Sequence, residues 1–356
     1  MAKIIHSGDI HLDSGFSSLS KEEARIRRAN SRALFSQLIN IAKDENADVI
    51  ILAGDIFDSY PIHPETEELF ISELRRANIP IFITPGNHDP YSSDSPYKNL
   101  SFPENVHIFS SNTLTPVVLD DIKVRIFGAA YTGESYDDRI IADFKVPKDE
   151  FINIIALHSN LYTEGYSPVS VEEIGNTDAD YVALAHIHKP TELMKSKNTF
   201  YAYCGCLECH DFGETYDSGF YIIDITKDKT TAIRKKISAI SYHDITLNFE
   251  GVSDISSALP TPDGEVHLRL TLTGEAELSD VESIKNNLAE KYAEFILIDK
   301  TASPRDIWQG IEEDTLRGAF LRKIKTEIDL STDDIEKKKL LLAAKYGIDA
   351  IENRDV

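Results

Sequence analysis

The chain has 356 residues, 42% of them hydrophobic and 27% charged, with a formal net charge of -23. That length implies a main domain with a smaller appendage, and no apolar run approaches the roughly 18 residues of a membrane span, so no membrane partner is expected. The acidity opposes nonspecific attraction to a polyanion, because phosphate binding is driven by Lys and Arg displacing counterions; a nucleic-acid role needs local basic patches, metals or a partner.

The N-terminus enters a strand-like run at once, Lys3 to Ser7, without the basic-then-apolar pattern of a secretory signal, which places the chain in the cytoplasm. Helical and apolar runs then alternate: Ser20 to Lys43, Asp48 to Ala53, Pro64 to Ala77, Pro80 to Thr84, a βαβαβ pattern. Ser20 followed by Glu23 fits a capping box, and Ala24, Leu34, Leu38 and Ile41 mark the apolar side of the first helix. After residue 105 strands dominate: Val106 to Phe109, Lys123 to Ala129, Asn153 to His158, Tyr181 to His186, Thr199 to Tyr203, Gly219 to Ile225 and Thr231 to Ile237. The three cysteines, Cys204, Cys206 and Cys209, are an odd number in a signal-less chain and read as reduced, small buried or half-exposed thiols; their CxCxxC spacing is not a standard structural zinc site.

From about residue 240 the pattern changes. Strand candidates Ile245 to Phe249, Glu265 to Thr273 and Phe295 to Asp299 are separated by helical stretches Ser253 to Leu259 and Leu278 to Tyr292. The end reads as two helices, Glu312 to Ile328 and Asp333 to Tyr346, with Ser331 and Asp334 as cap candidates and Gly347 as a stop. The division this implies is 1–240, a small α/β unit at 241–303, and a helical docking segment at 304–356.

Chemistry-bearing residues gather at strand ends. Asp9-Ile10-His11 follows the first strand, Gly54-Asp55-Ile56-Phe57-Asp58 the second, Gly86-Asn87-His88-Asp89 the third, and His158 and His186-Ile187-His188 close two later ones. C-terminal strand ends are where open α/β sheets place ligand sites. Each piece alone reads as a polar strand end. Together, half-buried Asp and His at five strand ends would cost several kcal/mol each if unpaired, and a shared divalent cation is the simplest compensation. Five of the eleven histidines fall in these motifs; His6, His63, His107, His210, His243 and His267 read as structural or surface residues.

These motifs resemble the signature of the calcineurin-like metallophosphoesterases, D-x-H, G-D-x-x-D, G-N-H-D, a later His and G-H-x-H, over residues 1 to about 240. The wording around them, including His186-Ile187-His188-Lys189-Pro190, looks like the SbcD-type DNA repair exonucleases. Leu207-Glu208, Gly213-Glu214, Gly219-Phe220 and Thr315-Leu316-Arg317-Gly318 look like the YhaO-like branch. Ala185 stands where the family has Gly, and Ala156 departs in the same way before His158.

The resemblance implies an α/β fold, a two-sheet β sandwich flanked by helices, with an α/β capping domain and C-terminal helices. It implies that Asp9, His11, Asp55 and His188 hold one metal and Asp55, Asn87, His158 and His186 the other, with Asp55 bridging ions roughly 3.5 to 4 Å apart. The nucleophile is then hydroxide from water rather than a side chain. His88 is left to protonate the leaving oxygen, with Asp58 orienting it, so Asp58→Asn is expected to lower turnover more than metal content. The oxygen and nitrogen donor set suits Mn²⁺, with Fe or Zn as alternatives. The implied activity is a DNA exonuclease, with endonuclease activity open, working with an SMC-like ATPase subunit and forming a homodimer. Clustered Arg25, Arg27, Arg28 and Arg32, Arg75 and Arg76, and Arg317, Arg322, Lys323 and Lys325 offer local positive surface for DNA. A phosphatase or small-molecule phosphodiesterase on the same centre suits the acidity better, and a non-catalytic scaffold is the third alternative.

Overall fold

The structure is a computed structural model that describes residues 1–58, 60–133, 138–248, 255–261, 264–292, 294–302 and 306–352. Its first part alternates β1 (Ala2–Ser7), α1 (Lys21–Asp44), β2 (Val49–Leu52), α2 (Pro64–Ala77), β3 (Ile81–Ile83), α3 (Pro96–Asn99) and β4 (Val106–Ile108). There follow β5 (Thr115–Leu119), β6 (Val124–Gly128), β7 (Ile152–His158), α4 (Val171–Asn176), β8 (Tyr181–Ala185), β9 (Met194–Ser196), β10 (Thr199–Tyr203), β11 (Phe220–Ile225) and β12 (Thr230–Lys235).

These strands make two six-stranded mixed sheets, ordered β12-β11-β1-β2-β3-β4 and β5-β6-β7-β8-β10-β9. Within the first, β1 to β4 run parallel and β11 pairs antiparallel to β1. Because side chains alternate across a strand, each apolar run serves two layers. Ile5, Ile50, Leu52, Ile81 and Ile83 pack with Phe35, Leu38, Phe70 and Leu74 of the covering helices. Ile4, Val49, Ile51 and Phe82 meet Ile126, Ile154, Tyr181 and Ala183 of the other sheet. Val182 and Leu184 fill a third cluster on the far side of that sheet. Burial of each large side chain contributes about 1.5–3 kcal/mol, so the sandwich is held by its two-faced strands rather than by any one helix.

The first helix starts as expected, with both halves of the Ser20–Glu23 capping box formed. Its fully buried stripe is Phe35, Leu38, Ile39 and Ala42, one position round from the expected Leu34 and Ile41, which are only partly buried. The short strands β5 and β9 go beyond what the apolar runs predict: their exposed-to-intermediate pattern at sheet edges leaves little apolar signal.

The remaining elements are β13 (Ile240–Asn248), β14 (Glu265–Thr273), α5 (Leu278–Lys291), β15 (Glu294–Asp299), α6 (Leu316–Leu330) and α7 (Asp334–Ile351), with the three strands ordered β13-β14-β15. By backbone contacts the chain divides into two compact units. One comprises Met1–Asp244, Pro260–Arg269 and Tyr292–Phe295, and the other Ile245–Leu259, Leu270–Lys291 and Ile296–Val356. Of the helix expected at Ser253 to Leu259, a 3₁₀ turn at Ser256–Ala258 is formed, while residues 253 and 254 lie outside the described residues, as does residue 249 of the expected strand.

The C-terminal hairpin departs from expectation at both helices. α6 begins at Leu316 because Thr315 caps it, accepting from the Gly318 nitrogen at 3.1 Å. α7 is capped by Asp333 and runs through Gly347 to Ile351, so Gly347 is not a stop. A β-carbon there would lie 2.2 Å from the Phe320 ring, and glycine serves close helix packing instead. Among the described residues no helix is long and apolar enough to cross a membrane.

Candidate metal centre

The strand ends deliver the motif residues to one place. Asp9 and His11 follow β1, Asp55 follows β2, Asn87 and His88 follow β3, His158 ends β7, and His186 and His188 follow β8. Asp9, His11, Asp55 and His186 all have positive φ, of 46°, 48°, 50° and 96°. Such angles are costly for residues with a β-carbon and gather where a backbone must aim side chains at a target.

Among the described residues four donor groups form, each with ligand atoms within 4.8 Å of one another. His11, Asp58 and His88, and His188, Cys206 and Glu214, make two of them; the other two combine the motif residues of the centre, Asp9, His11 and His188 in one and Asp55, His158 and His186 in the other. His11 Nε2 lies 3.1 Å from His188 Nε2. Asn87 Oδ1 lies 3.0 Å from both His158 Nε2 and His186 Nδ1, which are 3.2 Å apart. Asp55 Oδ2 reaches both groups, 3.1 Å from His158 Nε2 and 3.8 Å from His11 Nε2. Imidazole nitrogens facing one another beside buried carboxylates are poorly matched as hydrogen-bond partners and well matched as ligands of a shared cation. The donors are carboxylate, amide and imidazole, the set that suits hard to borderline divalent ions.

The electrostatics show the same demand for positive charge. Burial alone would lower the His158 pKa, but Asp55 and Asp9 overcome it and lift it to about 9. At His188 the same burial is outweighed by Glu214 and Asp9, again to about 9. His186, desolvated and beside His158, is pushed down to about 3. Asp55 is buried, yet His158 and His11 hold its carboxyl well below the usual range.

His88 is the exposed member, its ring edge-on to His11 at 4.8 Å. The sequence pairs Asp58 with His88; the structure places the Asp58 carboxylate nearer His11, 3.1 Å from its Nδ1 against 3.7 Å for His88 Nδ1. His88 Nδ1 instead faces the Asp58 carbonyl oxygen at 3.3 Å.

Several residues at the centre are given no part in the chemistry by the sequence, His210 among them, which reads there as structural or surface. Asp89 is buried and accepts from the nitrogens of Gly86, Ile56 and Phe57 at 2.8, 2.7 and 3.1 Å and from the Tyr97 hydroxyl at 2.5 Å, tying the second motif to the third. The Tyr166 ring lies tilted against His186 at 4.7 Å and Tyr131 meets His158 edge-on at 5.6 Å. His210 lies 6.1 Å from His11 and Glu214 bonds His188. The departure at Ala185 is accommodated by Gly8, where a β-carbon would come within 2.7 Å of the Ala185 methyl.

The cysteines are buried and free. The arginine cluster of α1 is not the open basic patch its sequence suggests. Arg27 is buried between Glu208, Tyr242 and the Cys209 carbonyl, Arg32 lies between Asp13 and Glu65, and Arg25 pairs with Glu22.

Two mixed sheets carrying carboxylates and imidazoles at five strand ends define a metal-dependent phosphoesterase. The family model for calcineurin-like phosphoesterases matches residues 2–190, more than half of the chain, and the chain belongs to that family, whose members bind two divalent metals. It is 27% identical to the uncharacterized metallophosphoesterase YhaO of Bacillus subtilis, across 94% of this chain and 87% of that one. It is 26% identical to the SbcD component of the SbcCD nuclease of the same organism, over 62% of this chain and 66% of the relative. The DNA double-strand break repair protein Mre11 of Saccharolobus solfataricus is 27% identical, over 71% and 68%.

Proposed function

We propose that the chain is a two-metal deoxyribonuclease that hydrolyses phosphodiester bonds, as an exonuclease, in DNA repair. The observation that carries this reading is Asp55 Oδ2, within 3.1 and 3.8 Å of imidazoles from both donor groups, at the position a bridging ligand needs. Asp9, His11 and His188 would hold one ion, Asn87, His158 and His186 the other, and Asp55 both. Bound there, two divalent ions, Mn²⁺ by the donor set, supply the Lewis acidity that polarises a phosphate and lowers the pKa of water.

The chain's own residues do the rest. Asp9 is fixed by the His186 backbone nitrogen, which donates to both its oxygens at 3.0 and 3.1 Å, and Asp55 Oδ1 accepts from the His88 nitrogen at 3.0 Å. His88, with Nδ1 3.3 Å from the Asp58 carbonyl oxygen, would use Nε2 to give a proton to the leaving oxygen.

Support for DNA as substrate comes from the relatives, one named as a nuclease subunit and the other as a DNA double-strand break repair protein. The resemblance of the motifs also motivates the homodimer, residues 241–303 as a cap and residues 304–356 as docking segment for an SMC-like ATPase, and the N-terminal strand-like run motivates the cytoplasmic location; Leu316, Leu330, Ile335 and Tyr346 of the C-terminal helices are exposed apolar residues. The net charge of -23, with Arg27 and Arg32 already paired, favours the second reading, a phosphatase or small-molecule phosphodiesterase.

The deciding assay incubates the full chain and His88→Ala with Mn²⁺ and labelled single- and double-stranded DNA, beside p-nitrophenyl phosphate. Cleavage of DNA by the parent and not by the variant supports the nuclease. Hydrolysis of the monoester alone replaces it with the phosphatase.

A further inference from the structure

The imidazoles of the centre are oriented differently at its two ends. At one end His158 rests its Nδ1 on the Ala53 backbone carbonyl at 3.0 Å. At the other end side-chain carboxylates take that place: Asp58 at His11 Nδ1, 3.1 Å away, and Glu214 at His188 Nδ1. Glu214 is itself held. Its second oxygen accepts from the His210 nitrogen at 2.7 Å, its own nitrogen donates to the Asp211 carbonyl at 3.1 Å, and its side chain is 15% exposed.

The segment that carries Glu214 also fixes the backbone of His188. Cys206 N–H donates to the His188 carbonyl at 3.0 Å. Gly205, with φ of 70°, lets the chain pass where a β-carbon would lie 2.6 Å from that same oxygen. A carboxylate accepting from Nδ1–H locks the tautomer, leaves the Nε2 lone pair for a metal and makes that nitrogen more basic.

We propose that Glu214 is a positioning residue: it holds His188 with Nδ1 protonated and Nε2 turned toward His11, and so sets how tightly the Asp9–His11–His188 end takes its divalent ion. This rests on the metal-centre reading above. Because the other end relies on a backbone carbonyl, removing the Glu214 carboxylate weakens one ion and leaves its neighbour unchanged.

The test titrates the metal-stripped full chain with Mn²⁺, reading free ion by electron paramagnetic resonance, for the parent, Glu214→Gln and Glu214→Ala, with the thermal midpoint of each stripped protein alongside. The parent should take two ions. Glu214→Ala should weaken one binding step by roughly 10- to 100-fold with the other step unchanged, while its stripped midpoint falls because the His210 nitrogen loses its acceptor. Glu214→Gln, which still offers one neutral acceptor, should fall between. Two unaltered steps in Glu214→Ala overturn the proposal, as does equal weakening of both, which would mark a general structural role. Cys206 lies within 4.8 Å of the His188 and Glu214 ligand atoms. A third Mn²⁺ lost with Glu214 would therefore make it a ligand and overturn the proposal as well. A parent that takes no ion removes the underlying reading with it, and the parent arm alone shows that.

Discussion

A β-carbon on Gly86 would lie 2.1 Å from Oδ1 of Asp55 and 2.6 Å from its backbone nitrogen. The glycine of the third motif is thus a space left for the carboxylate of the second, the one proposed to bridge the two ions. Gly86→Ala must push Asp55 aside. The expected result is a folded protein, destabilised by about 1–3 kcal/mol as overpacked sites are, whose metal content after dialysis falls below two ions. Mass spectrometry of the dialysed protein finding both ions retained would remove Asp55 from the bridging position.

Asp58 contacts His11 more closely than His88, so its loss reaches the metal and the chemistry together. Asp58→Asn is expected to weaken metal binding by roughly 10- to 100-fold and to lower turnover at limiting Mn²⁺ in proportion. Titrating activity against Mn²⁺ separates the two effects. If saturating metal fails to restore turnover, the role at His88 predicted from the sequence is the dominant one.

Arg27 and Glu208 form a buried pair at 3.5 Å, with side chains 5% and 2% exposed. Removing one partner leaves an uncompensated buried charge. Glu208→Ala should cost about 3–5 kcal/mol, whereas Arg27→Met with Glu208→Leu should recover most of that loss. Urea unfolding of the two proteins decides it: a double variant no more stable than the single one would show that Arg27 contributes through Tyr242 and the Cys209 carbonyl instead.

His6 is fully buried, its Nδ1 2.8 Å from the Tyr181 hydroxyl, and desolvation, aided by the Arg234 charge, pushes its pKa from 6.5 down to about 3. Its neutral form is the folded form. Above pH 6.5 it exacts nothing; as pH falls from 6.5 toward 3 the unfolded chain takes up a proton that the folded one refuses. Stability then drops by up to about 1.4 kcal/mol per pH unit. Denaturant titrations of metal-stripped His6→Gln across that window should show a shallower fall than the parent. Parallel curves would place a compensating charge next to His6.

The sandwich and the donor set were legible because both leave local marks. Strands that serve two layers read as short apolar runs, and Asp9, Asp55, His158 and His186 interrupt or end such runs with groups that cannot be buried alone. What could not be read depended on partners distant in the chain. Glu214 is one acid among 60 Asp and Glu, and only the fold brings it to His188. Arg27 sits among other arginines on a helix and looks solvated until Glu208 and Tyr242 close over it. Gly347 carries the same letter whether it ends a helix or lets Phe320 approach one, and sequence favours the commoner use.

The left-handed backbone at Asp9, His11, Asp55 and His186 has an evolutionary corollary. Each of these residues holds a conformation that is costly with a β-carbon, and selection for the proposed metal chemistry would be what keeps one there. A lineage released from that selection would drift toward glycine or asparagine at these four positions first and gain thermal stability by doing so. Inactive descendants of this chain should therefore be recognisable as its sturdier ones.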